Sequence, residues 1–133
     1  MPESTTRRVD VTPEAAEMLR DLRVQHGPLM FHQSGGCCDG SSPMCYPDGE
    51  FLLGPADVHL GDLDIGLTEV VPVWMSSGQF DYWSHTHLTI DLVPGRGAGF
   101  SLEAPTGHRF IIQSRLFTDE EAALLAPPRR GEL

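Results

Sequence analysis

The chain has 133 residues, which fits one domain around one core and leaves no room for separate catalytic and cofactor domains. Nineteen acidic residues against nine basic ones give a formal net charge of −10, so nucleic acid and anionic membrane are not expected partners. All nine basic residues are arginine, which excludes a P-loop lysine, a Schiff-base lysine and a lysine general base.

Residues 1–8 are polar and read as a frayed N-terminus, ahead of a single domain over 9–126 and a tail over 127–133. Thr12 has the chemistry of an N-cap, Pro13 suits the first helical position and Glu14 favours the positive end of a helix. A helix is expected from Pro13 to His26, with Ala15, Met18, Leu19 and Leu22 as its buried stripe and Gly27-Pro28 as its stop. Leu29 to Gln33 reads as a short strand that runs into Ser34-Gly35-Gly36-Cys37-Cys38-Asp39-Gly40 and on to Gly49. That stretch reads as one long irregular loop, and it holds every cysteine of the chain.

Short strands are expected at Phe51–Leu53, Val58–Leu60 and Val70–Trp74, then a helical turn within Ser76–Trp83. Leu88, Ile90 and Leu92 alternate with Thr89, Asp91 and Val93, which predicts a half-buried strand. Pro94-Gly95-Arg96-Gly97 is a turn, Phe100–Leu102 a further strand, and Pro105-Thr106-Gly107 a turn before a last strand over Arg109–Arg115. Thr118-Asp119-Glu120-Glu121 has capping-box spacing and starts a short helix to Leu125. The expected class is α+β and β-rich, with one N-terminal helix and a short C-terminal one.

No apolar run approaches the ~20 residues of a membrane helix, and the first six residues lack a signal-peptide pattern, so the cytoplasm is the expected compartment. In a reducing compartment three cysteines point to free thiols, metal binding or redox chemistry in preference to a structural bridge. Cys37, Cys38 and Cys45 are soft ligands, and the glycines around the first two allow a turn that would converge their sulfurs. Zinc or iron is the expected ion. The plainer alternative is a set of small packed cysteines.

Ser84-His85-Thr86-His87 is the second candidate, because two histidines two apart on a strand share a face and can complete the site. Against this stands a pair of half-exposed histidines on a polar face. His32, on the strand entering the cysteine loop, is a further ligand or proton carrier, or a satisfied core histidine. His26, His59 and His108 sit beside glycine or turn residues and read as surface groups. Cys37 or Cys38 beside His32, His85 or His87 also meets the chemical needs of a thiol nucleophile.

Val11-Thr12-Pro13-Glu14-Ala15-Ala16, the strand into Gly35-Gly36-Cys37, Ile90-Asp91-Leu92-Val93 and Gly99-Phe100-Ser101-Leu102-Glu103-Ala104-Pro105 resemble the HesB-like domain of A-type iron-sulfur carriers. The resemblance implies that fold, with Cys37 or Cys38 as the loop cysteine. The carriers' C-terminal cysteine pair has no counterpart between Phe117 and Leu133. More closely, and over most of the chain, the run Ser34 to Cys45 resembles an uncharacterised bacterial domain family encoded beside aldehyde dehydrogenases. That resemblance implies an accessory role in aldehyde or alcohol metabolism, with an aldehyde dehydrogenase as partner and a homo-oligomer left open. The leading expectation is a metal-binding accessory protein. The alternative is a small thiol-dependent enzyme or redox protein using the same cysteines.

Overall fold

Thr12 and Pro13 start the first helix as their side chains dictate. Thr12 Oγ1 accepts a hydrogen bond from the Ala15 N–H at 3.2 Å, and helix α1 runs over Pro13–His26. Gly27, at φ +81°, closes it by donating its N–H to the Arg23 carbonyl at 2.9 Å, a conformation that favours glycine. The computed structural model describes residues 7–33, 43–48, 54–67, 70–95, 101–125 and 129–130, with the backbone alone at 82, 129 and 130.

Eight strands occur among the described residues: β1 (Val9–Val11), β2 (Leu29–Gln33), β3 (Met44–Pro47), β4 (Asp57–Leu63), β5 (Val71–Ser76), β6 (Thr86–Pro94), β7 (His108–Leu116) and β8 (Arg129–Arg130). Two short helices join them, α2 (Ser77–Trp83) and α3 (Asp119–Ala123), and a 3₁₀ turn spans Ala104–Thr106. The class is α+β and strand-rich, as expected. One sheet has the order β1-β6-β7 and the other β3-β2-β5-β4-β8; β1 with β6 and β2 with β5 are parallel, the remaining pairs antiparallel.

The two sheets and α1 share one core. Val9, Leu88, Ile90, Phe110 and Ile112 come from the smaller sheet, and Leu29, Phe31, Leu63, Val71, Val73 and Met75 from the larger. Ala15, Ala16, Leu19 and Leu22 supply the helix stripe. Phe31 meets Phe110 edge to face with centroids 4.9 Å apart, an arrangement worth about 0.5–1.5 kcal/mol beyond its buried area. Gly61 lies where a Cβ would come within 3.2 Å of Val9 Cγ1, so the lack of a side chain there lets β4 approach β1.

Residues 101–103 stitch the sheet edges together. The Cys45 N–H donates to Ser101 Oγ at 2.8 Å and the Leu102 N–H to the Cys45 carbonyl at 3.0 Å, which covers β3. The Ser101 hydroxyl donates to Glu103 Oε1, and Glu103 Oε2 accepts from the Phe110 N–H of β7 at 3.3 Å. A fully buried carboxyl group thus satisfies backbone that a sheet edge would leave open.

Three expectations need correction. Residues 44–47 form a strand, not loop, because pairing with β2 supplies the order that their Pro-flanked sequence conceals. Of the strand expected over Phe100–Leu102, Phe100 lies outside the described residues, and Ser101 and Leu102 lead into a turn that is joined to β3 through the Leu102 N–H to the Cys45 carbonyl and the Cys45 N–H to Ser101 Oγ. The tail from 127 contributes β8, which pairs Arg130 with Val58 and Arg129 with His59. The strand expected over Phe51–Leu53 lies outside the described residues.

Candidate functional site

Alternation along β2 sends Leu29 and Phe31 into the core and Met30 and His32 to the opposite face of the five-stranded sheet. His32 is nevertheless only 3% exposed. Its Nε2–H donates to Asp57 Oδ1 at 2.7 Å, and Asp57 Oδ2 accepts from the Gly54 N–H at 2.9 Å. The carboxylate is therefore held from both sides, and the imidazole is fixed in orientation and tautomer.

The cross-strand register extends this face. His32 stands beside Trp74 of β5, and Trp74 beside His59 of β4. The His59 and Trp74 rings lie 5.1 Å apart between centroids, inclined at 57°. His59 Nε2 is 2.8 Å from Asp62 Oδ1. Two residues three apart face opposite ways in a regular strand, but the register of β4 shifts between His59 and Gly61. That bulge returns Asp62 to the face of His59. Two carboxylate-held imidazoles thus flank one indole on a single sheet face.

The sequence singled out a different set. Cys37 and Cys38 lie outside the described residues. Cys45 is on the core face of β3, opposite Phe31 and fully buried, so its side chain belongs to the packed interior. Burial, and then the nearby Glu103 carboxyl group, push its thiol far above the ordinary range, which disfavours the thiolate that a metal or electrophile needs.

His85 precedes β6, is exposed and lies 3.3 Å from the Ser84 hydroxyl through Nδ1. His87 is on β6 and buried at 8% exposure, with Nε2 2.8 Å from Asp10 Oδ2 of β1 and its ring edge to Phe117. That carboxylate also accepts from Arg7 Nε at 2.8 Å. His87 lines a polar cleft of about 170 Å³ with Thr89, Gln113, Ser114 and Arg115, on the side of the three-stranded sheet away from the core. Cys45 and His87 therefore point into different layers, and among the described residues no three His, Cys, Asp or Glu side chains converge as a metal site.

His59, read from sequence as a surface residue, is 9% exposed and paired. The signal that would have found it is the period-two spacing of Asp57 and His59 in a strand whose other face is apolar. Asp62 had no such signal, because the bulge is invisible in the residue pattern.

An α+β domain of two mixed sheets with a buried, carboxylate-held histidine near the end of β2 defines a class by fold and site and assigns no reaction. The chain belongs to the DUF779 family, a domain of unknown function, whose family model matches residues 18–116. No curated protein and no solved structure matches the chain. No helix among the described residues is long and apolar enough to cross a membrane.

Proposed function

We propose that the chain is a metal-binding accessory protein whose site is built on the Asp57-held His32 at the end of β2 together with Cys37 and Cys38, which follow it in the sequence. The observation that carries this reading is the His32–Asp57 hydrogen bond at 2.7 Å in a buried setting. A carboxylate behind a histidine is the usual support of a metal-ligating imidazole, since it fixes the tautomer and raises the basicity of the other nitrogen. Cys37 lies five positions after His32 in the sequence, a chain reach of at most ~18 Å. Two thiolates and one imidazole suit zinc or iron, with a fourth position for substrate, water or a partner's group.

His32 replaces His85 and His87 in this proposal, because His87 lies on the three-stranded sheet, bound to Asp10, and His85 precedes that strand, exposed and beside the Ser84 hydroxyl. The same His32–Asp57 couple supports a second reading, a thiol-dependent enzyme in which His32 takes the proton of Cys37 or Cys38 and Asp57 stabilises the imidazolium. As an accessory protein the chain acts on an aldehyde dehydrogenase in aldehyde or alcohol metabolism, its acidic surface meeting a basic patch so that association weakens as salt rises. The HesB-like relationship belongs to this proposal, supported by the sequence motifs alone.

The test is elemental analysis of untagged protein purified without oxygen, beside Cys37→Ser, Cys38→Ser and His32→Ala variants. Near-stoichiometric zinc or iron that falls in all three is expected. Metal-free protein that takes up neither ion overturns the metal reading, and turnover abolished by thiol alkylation then favours the enzyme.

A further inference from the structure

We propose that the cleft beside His87 binds a small neutral polyol, one of whose hydroxyl groups donates a hydrogen bond to His87 Nδ1. The site lies on the outer face of the three-stranded sheet and uses none of the residues of the metal-binding reading above. Two cross-strand rows build it. Asp10, Thr89 and Gln113 are partners across β1, β6 and β7, and His87 pairs with Arg115 in the neighbouring row of the same face. His87, Thr89, Gln113, Ser114 and Arg115 line a cleft of about 170 Å³. A water takes up about 30 Å³ of the liquid, so the cleft holds a ligand of roughly five or six non-hydrogen atoms.

His87 is buried as a residue, and its hydrogen bond to Asp10 leaves Nδ1 as the open atom of the ring. An ionised carboxylate only accepts, so Nε2 carries the proton and Nδ1 the lone pair. Nδ1 makes no hydrogen bond among the described residues and is not one of their buried unpaired atoms, so it meets solvent. The Thr89 hydroxyl is in the same state, and Gln113, whose Nε2 donates to Asp91, keeps its Oε1 open. Phe117 stands edge-on to the imidazole, with centroids 6.3 Å apart, and packs it in place.

The charges around the cleft are already paired. Asp10 is held by Arg7 and His87, and Arg115 forks onto Glu121 through both Nη atoms. Asp91 accepts from the Thr12 hydroxyl, the Gln113 amide and the Leu92 N–H. An ion entering the cleft therefore gains little from Coulomb attraction, and the Arg115 guanidinium repels a metal cation, which favours an uncharged ligand. The lone pair on Nδ1 demands a donor, which a hydroxyl supplies and a carbonyl, ether or carboxylate lacks. Thr89 stands two residues from His87 on one strand, ~6.8 Å along it, so a ligand with hydroxyl groups spread along a three-carbon chain matches both, with Gln113 Oε1 as a further acceptor.

The experiment is an NMR titration of the full chain with glycerol, following the ring nitrogens of His87 and the backbone amides. Saturable shifts confined to His87, Thr89, Gln113 and their neighbours are expected, with a midpoint on the order of millimolar. Thr89→Val removes the hydroxyl from a side chain that still suits a strand, and is expected to weaken binding about threefold to tenfold. His87→Phe removes both ring nitrogens, keeps a ring beside Phe117 and is expected to abolish binding; if that variant loses its fold, Thr89→Val decides alone. A diether of equal size, which only accepts hydrogen bonds, is expected to leave these resonances unmoved. Shifts that grow without saturating, an equal response to the diether, tighter binding of inorganic phosphate at the same resonances, or an affinity unchanged by Thr89→Val would each overturn the inference.

Discussion

Glu103→Ala is expected to be among the most damaging single substitutions outside the apolar core. The wild-type carboxyl group is fully buried and accepts from the Ser101 hydroxyl and the Phe110 N–H, while the same hydroxyl accepts from the Cys45 N–H. Alanine removes the acceptor and leaves the Phe110 amide, on the edge of β7, without a partner. An orphaned buried donor costs about 1–3 kcal/mol, and the hydroxyl and the vacated volume add to it. We expect a loss of about 3–5 kcal/mol, against a total stability on the order of 7–20 kcal/mol for a chain of this length. At roughly 3–6 °C per kcal/mol, the thermal midpoint falls by ~10 °C or more. Glu103→Gln keeps the volume and one acceptor, and is expected to cost about half as much. The assay is urea and thermal unfolding followed by circular dichroism, with the exposed Glu17→Gln on α1 as control. An alanine variant within about 0.5 kcal/mol of wild type would refute the idea that this carboxyl group joins the sheet edges.

In a Cys37→Ser, Cys38→Ser protein, Cys45 is expected to resist a thiol reagent at pH 8 while folded and to react fully in denaturant; rapid native labelling would mean that it is not buried. Glu121 is held down to about 2 from an ordinary 4.5 by its hydrogen bonds with Arg115 and then with the Thr118 N–H. A depressed carboxylate stabilises the fold above its unfolded value, so the contribution of α3 is expected to fade as pH falls from about 4.5 to about 2. Carboxyl NMR titration checks this, and Arg115→Ala should move the Glu121 midpoint upward, an unchanged midpoint being the contrary result.

Local signals carried much of the fold. Thr12, Pro13 and Gly27 bound α1 where their backbone chemistry places helix ends, and Thr118 with Glu121 forms the capping box that their spacing announces. The alternation at 88–93 marks the middle of β6. What the pattern could not show depends on partners distant in sequence. β3 takes its order from β2, and the Glu103 clamp needs Cys45 and Phe110 brought together by the two sheets. The site was legible as chemistry and less so as geometry. His32 was marked by its place before the cysteines, whereas Asp57, 25 residues away, reaches it across β5. His85 and His87 share parity in sequence, but the strand begins between them and their hydrogen bonds lead to different groups.

The most direct measurement is X-ray absorption at the edge of whatever metal the anaerobically purified chain carries or takes up, compared between wild type and His32→Ala. The account predicts sulfur ligands near ~2.3 Å together with an imidazole near ~2.0–2.1 Å that His32→Ala removes. A shell of oxygen alone, or an imidazole signal indifferent to His32, would contradict it.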